Sequence, residues 1–253
     1  MSHFGSTEFL IEVRKGNVVG HAMVHKFGAN LFVPNGSWAF VNLLGFTAWP
    51  QSTGTTVRVK AGNAADTAAG AGAQEVTVVG LQEGTLLETS ETIATNGGSA
   101  SLSTTTVFHR VYRVYVSAVG TYEGNNTGDI VIENTAGTQD LLKITAGDGQ
   151  SLFAGYSIPA GKTAYFLGIH NTVDTGKAVD IRVMTRRDLD DVTSPFAPKR
   201  QRLFFAGLDA PYSYVAEGPD FSLAEKADIW VEGRGAGGTA SVSSHFEILL
   251  VDD

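Results

Sequence analysis

One pattern recurs along almost the whole chain: a short run rich in Val, Ile, Thr, Phe and Tyr, closed by Gly, Asn, Asp or Pro. The runs fall at 9–13 (FLIEV), 55–61, 75–81, 86–95, 106–119, 129–134, 140–147, 151–158, 162–170, 178–185, 202–208, 227–233 and 245–251 (HFEILLV). β-Branched and aromatic side chains suit a pleated, half-buried surface, and many short strands between turn residues indicate an all-β sandwich or barrel. Alternation is explicit where Val57, Val59 and Ala61 face Thr56, Arg58 and Lys60, so one side of that strand is dry and the other wet. GDG at 147–149 and PAG at 159–161 stand at hairpin distance between runs. A parallel crossover needs a dozen or more connecting residues, usually helical, and the one weak helical period is SLAEKADI at 222–229. The fold expected is therefore an all-β, antiparallel β-sandwich, jelly-roll-like. No repeat of fixed period points to a propeller or solenoid. Residues 1–45 differ in texture and hold His3, His21 and His25; they are expected as an N-terminal arm or extension, with the sandwich domain over 46–253.

Composition removes several functions. The chain has no cysteine, which excludes disulfides, thiolate zinc sites and cysteine nucleophiles. A net charge of −8 repels a polyanion, so no nucleic-acid partner is expected. The longest apolar stretch, 38–49, is broken by Asn42, Gly45 and Thr47 and is too short for a membrane span. No basic segment precedes Phe9–Ile11, so a secretory signal is not expected either.

The motif search finds no enzyme. GRGAGG at 233–238 has the spacing of a dinucleotide loop, but a strand-like TASVSSHFEILLV follows it where a helix is required. His21 and His25 lie in a segment that reads as extended, roughly 13 Å apart, too far for one metal ion. Asp188, Asp190 and Asp191 lack the ligand order of a calcium loop. Catalytic residues, cofactors and metal ligands are accordingly expected to be none, although paired carboxylates of a carbohydrate hydrolase leave no linear signature.

Contact surfaces are the remaining candidates. In VFHRVYRVYV one face carries Phe108, Arg110, Tyr112, Val114 and Val116, and the other Val107, His109, Val111, Arg113 and Tyr115. Both faces are half apolar with a long cation each. Either the arginine stems lie over the sheet with their heads in water, or a second subunit covers one face, where Tyr and Arg are favoured. Arg110, Tyr112, Arg113 and Tyr115 are the interface candidates on this strand. Arg186, Arg187 and Arg200 join them from a basic cluster at 182–202 that reads as a self-neutralising loop or as a docking patch for an acidic partner.

The strip AGNAADTAAGAG at 61–72 is almost entirely small residues. It reads as a low-bulk loop that either lies flat on a neighbour or moves in solvent. The phrases DTAAGAGAQEVTVVGLQEG, SETIATNGG, TVFHRVYRVYV, GDIVIEN, YSIPAGKTAYF and HFEILLVDD, with GNVVGHAMVHKFGAN near the start, resemble a family of virion structural proteins of tailed bacteriophages, particularly those of aquatic bacteria. The resemblance runs from about residue 10 to the end and contains no catalytic signature. It implies membership of the virus particle, localised in the virion after assembly in the host cytoplasm, and leaves head against tail open; the role expected is a capsid decoration or cement protein, or another head-associated assembly protein. The partners implied are major capsid or tail subunits and further copies of the chain, as a trimer. A tail or vertex component with lectin-like binding through Trp38, Trp49, Tyr212, Tyr214 or Trp230 is the alternative, and a carbohydrate-active hydrolase comes last.

Overall fold

A computed structural model describes residues 6–45, 53–122, 124–174, 176–189, 198–216 and 221–253. A helix, α1 (Ser6–Arg14), leads into β1 (His21–Val33) and β2 (Ala39–Phe40). The middle of the chain supplies β3 (Val57–Ala61), β4 (Ala73–Gln82), β5 (Glu88–Ala94), β6 (Phe108–Val119), β7 (Ile130–Asn134) and β8 (Asp140–Ile144). The rest supplies β9 (Gly155–Ser157), β10 (Lys162–Val173), β11 (Val179–Arg186), β12 (Arg200–Leu208), β13 (Tyr212–Val215), β14 (Ser222–Leu223), β15 (Asp228–Gly235) and β16 (Ala240–Asp252).

All strand pairing in these sheets is antiparallel. Two five-stranded sheets run β1-β16-β10-β13, with β14 also on β10, and β12-β11-β15-β2, with β9 also on β15. Two three-stranded sheets, β3-β7-β8 and β5-β4-β6, come from the middle of the chain. The architecture is thus all-β and sandwich-like, with the sheets set like propeller blades. No repeat announces these blades, because they are unequal in size and the larger two are stitched from distant segments. GDG and PAG are not hairpin turns: they lead between strands of different sheets, as does GRGAGG between β15 and β16.

Three local expectations change. FLIEV at 9–13 forms part of α1, not a strand. The alternation of Phe9, Ile11 and Val13 is real, yet the helix puts Glu8 in its first turn and Arg14 in its last, where each charge complements the macrodipole, and Gly16 at φ 76° closes it. Val13 is the side chain it buries. SLAEKADI is not helical; Lys226 takes φ 63° and turns the chain from β14 into β15. Residues 1–45, expected as an arm, contribute β1 and β2 to the two larger sheets. β1 pairs residue by residue with β16 from His21↔Val251 to Asn30↔Val242.

One continuous apolar core joins the small sheets to the large ones, with Phe108, Ile130, Phe153, Phe166, Trp230 and Phe246 among its fully buried side chains. Gly28 lets β1 approach this core closely, since a Cβ there would stand 2.2 Å from Ala154 N and 2.3 Å from Val41 O.

Candidate functional site

The interface candidates do not form one surface. Arg110 and Tyr112 are buried by their own chain, at 0% and 3% exposure. Strands of the larger sheets cover that face of β6, which is why it is apolar without a partner subunit. Arg110 donates from Nε to Asp228 Oδ1 at 3.2 Å and from Nη2 to Oδ2 at 3.0 Å, and Ser157 Oγ donates to the same carboxylate at 2.6 Å. A buried charge held this way is paired and hydrogen-bonded, as desolvation demands. Tyr112 packs on Tyr156 with ring centroids 4.8 Å apart, and both phenols donate to Glu88. Lys26 reaches the same junction from β1 and donates to Tyr112 O at 2.8 Å. Burial pulls this lysine down to about 7, with the positive Arg113 acting in the same sense and Glu88 partly opposing.

The other candidates stay nearer the surface. Arg113 is exposed on the opposite side of β6 and lies over the half-buried Tyr115 ring at 5.1 Å. Arg187 and Arg200 are exposed and Arg186 is half-buried. Asp190, Asp191 and residues 193–197 lie outside the described residues, as does Trp49. Of the aromatic glycan candidates, Trp230 is fully buried and Trp38 is half-buried beneath Arg182 and Arg234, whose guanidinium carbons stand 4.0 and 4.7 Å from its ring centroid. Tyr212 is exposed.

The small-residue strip is neither bare nor loose. Asp66, fully buried, accepts hydrogen bonds from Ala73 N and Thr127 N at 2.8 Å and from Gly128 N at 2.7 Å. Asn63 caps Ala65 N at 2.9 Å. A Cβ at Gly72 would stand 2.1 Å from Asp66 Oδ1, and one at Gly70 2.1 Å from Ala65 O. The strip is rich in Ala and Gly because it packs on itself and on the 126–128 turn.

Two surface features were not anticipated from the sequence. The first is the consecutive pair β12 and β13, which end the two larger sheets, one in each. It carries Phe204 (46% exposed), Tyr212 (42%) and Val215 (77%). The second is the outer face of the sheet made by β1, β16, β10 and β13. Register there sets Phe27 opposite His245, His245 opposite His170, and His170 opposite Ser213. The His245 ring lies 5.1 Å from that of His25 and 4.9 Å from that of His170. Burial and these two imidazoles lower the His245 pKa, with Glu247 acting in the opposite sense. Beside this row, between α1 and β13, lies an open groove of about 670 Å³. Among the described residues no group of three or more His, Cys, Asp or Glu is placed to hold a metal ion. The histidines come from three strands far apart in sequence, so spacing alone could not have assembled them; only the pairing register does.

No family model matches the chain, and no curated protein matches it. Among solved structures, the infectious bursal disease virus Gt strain structure shares 6% identity, covers 92% of this chain and 71% of its own, and has a TM-score of 0.27. The VP2 subviral particle of the same virus shares 9% identity over 92% of this chain and 77% of its own, with a TM-score of 0.19. Likeness at this level carries nothing about function.

Proposed function

We propose that this chain is a structural protein of a virus particle, of the tailed-bacteriophage family its sequence phrases resemble, acting as a capsid decoration or cement protein without turning over a substrate. The observation that carries the reading is the exposed apolar surface of β12 and β13, the consecutive strands that end the two larger sheets. Phe204 on β12 and Tyr212 and Val215 on β13 are exposed, as is the cation Arg200 at the start of β12. Apolar area of this kind stabilises association by about 25 cal/mol per Å² before ordering costs are subtracted. The β11–β12 ladder shifts register twice, between Val179 and Ile181 and between Val183 and Met184. Such bulges blunt a sheet edge against indiscriminate strand pairing, so the β12 edge offers neighbours its side chains more than its backbone. Major capsid subunits and further copies of this chain, in a trimer, are the partners.

Quantitative mass spectrometry of purified particles tests this reading. A copy number comparable with that of the major shell protein supports a decoration or cement role. A few copies per particle moves the protein to a tail or vertex, and absence from particles overturns the virion reading.

A further inference from the structure

The groove between α1 and β13 has apolar walls and one polar end. Phe9 and Leu10 line it from the helix side, and Leu167, Val215 and Leu249 from the sheet side. At the polar end His170 Nδ1 shares a hydrogen bond with Ser213 Oγ, which leaves its Nε2 for another partner. The ring nitrogens of His245 take no hydrogen bond from the described residues, although the residue is half-buried. Those nitrogens reach solvent and are open to a partner that enters from it.

The charges around this end define that partner. His25 on β1 and His170 on β10 flank His245, and His21 lies further along β1 against Phe9 at 5.5 Å. Glu247 on β16 is the carboxylate lining the groove, and Arg14 of α1 already holds it at 2.6 Å. Glu12 of α1 is bound by Lys15 and Asn17, and Tyr214 lines the β13 wall. Two imidazoles, His170 and His245, therefore face a groove whose carboxylate is spoken for, with His25 beside them.

We infer that this groove binds an apolar carboxylate, a small fatty-acid-like molecule whose acid group sits at His170, His245 and Ser213 and whose chain lies between α1 and β13. A pocket of several hundred cubic ångströms with apolar walls and a few convergent polar groups is the usual form of a small-molecule site. The inference is independent of the virion reading, and either can fail without the other. Binding draws a proton onto His245, since the ligand's charge offsets the burial and the neighbouring imidazoles that lower its pKa. By linkage the affinity rises as pH falls.

Isothermal titration of the full chain with decanoate, below its micelle concentration, at pH 6 and pH 8 tests the inference, with decanol as the uncharged control. The expected result is decanoate binding at pH 6, weakened roughly tenfold at pH 8, the change that one unit of proton linkage gives. In H170Q/H245Q decanoate binds no better than decanol. No decanoate binding at pH 6, or binding indifferent to pH or to both substitutions, overturns it. Should the double variant misfold by circular dichroism, the Cε1 proton of His245 in the native chain decides: decanoate must raise its titration midpoint, and an unmoved midpoint overturns the proposal.

Discussion

Two buried cations carry the most testable chemistry. Arg110 and Asp228 sit at 0% exposure with their partners in place. Removing one charge strands the other, so Arg110→Met lowers stability by about 3–5 kcal/mol, measured by urea unfolding. Arg110→Met with Asp228→Leu recovers most of that loss, because two apolar groups need no counter-charge. Lys26 behaves differently. Its pKa falls from 10.5 unfolded to about 7 folded, so between those values the unfolded chain holds a proton that the folded chain has released. Stability attributable to Lys26 therefore rises from about pH 7 toward pH 10. Above about 10 Tyr112 and Tyr156, whose phenols burial holds protonated, oppose the rise. Lys26→Met flattens the slope between pH 7 and 9.5 and stabilises the protein at pH 7 by about 1–4 kcal/mol. Urea midpoints across that range check both statements.

At the scale of elements, the strands were legible and their partners were not. Alternating runs such as Val57, Val59 and Ala61 announce a strand wherever one side is buried, and those three side chains are indeed buried. β6 was legible only as an anomaly. Its two half-apolar faces left open arginine heads in water or cover by a second subunit, and nothing local announced that β9 and β15 of the same chain cover the Arg110 and Tyr112 face while Arg113 stays exposed. α1 escaped notice because Phe9, Ile11 and Val13 satisfy a strand period as readily as Leu10 and Val13 satisfy a helical one. The 61–72 strip misled for another reason: Ala and Gly look permissive in sequence, whereas here they are small because backbone and Asp66 occupy the space. Asp66→Asn puts an amide donor against backbone donors and costs about 2 kcal/mol or more. Hydrogen exchange at Thr127 and Gly128 accelerates, while that at β16 amides does not. Gly72→Ala disturbs the same site by steric means alone, and the same two amides report it.

For the molecule as a whole, the polar junction of Lys26, Arg110, Tyr112 and Asp228 joins the middle sheets to the outer ones, and a single apolar core runs through both. Heat unfolding is expected as one transition, with calorimetric and van't Hoff enthalpies in agreement. Arg110→Met loosens that junction and separates the two enthalpies, which differential scanning calorimetry would show. The blade arrangement and the histidine row were invisible in the sequence for one shared reason: both arise from pairing between segments distant along the chain.

That pairing also has a cost in time. β1 is made early, but Val251, which pairs with His21, emerges only after every strand from β2 to β15. At translation rates of about 5–20 residues per second, the interval is on the order of ten to forty seconds. During it β1 has no sheet to join, and its Leu31 and Phe32, exposed even in the finished fold, stand open to chaperones and to other nascent chains. The native molecule can close only once synthesis has passed β16, so its yield in a cell depends on what shields β1 during that wait.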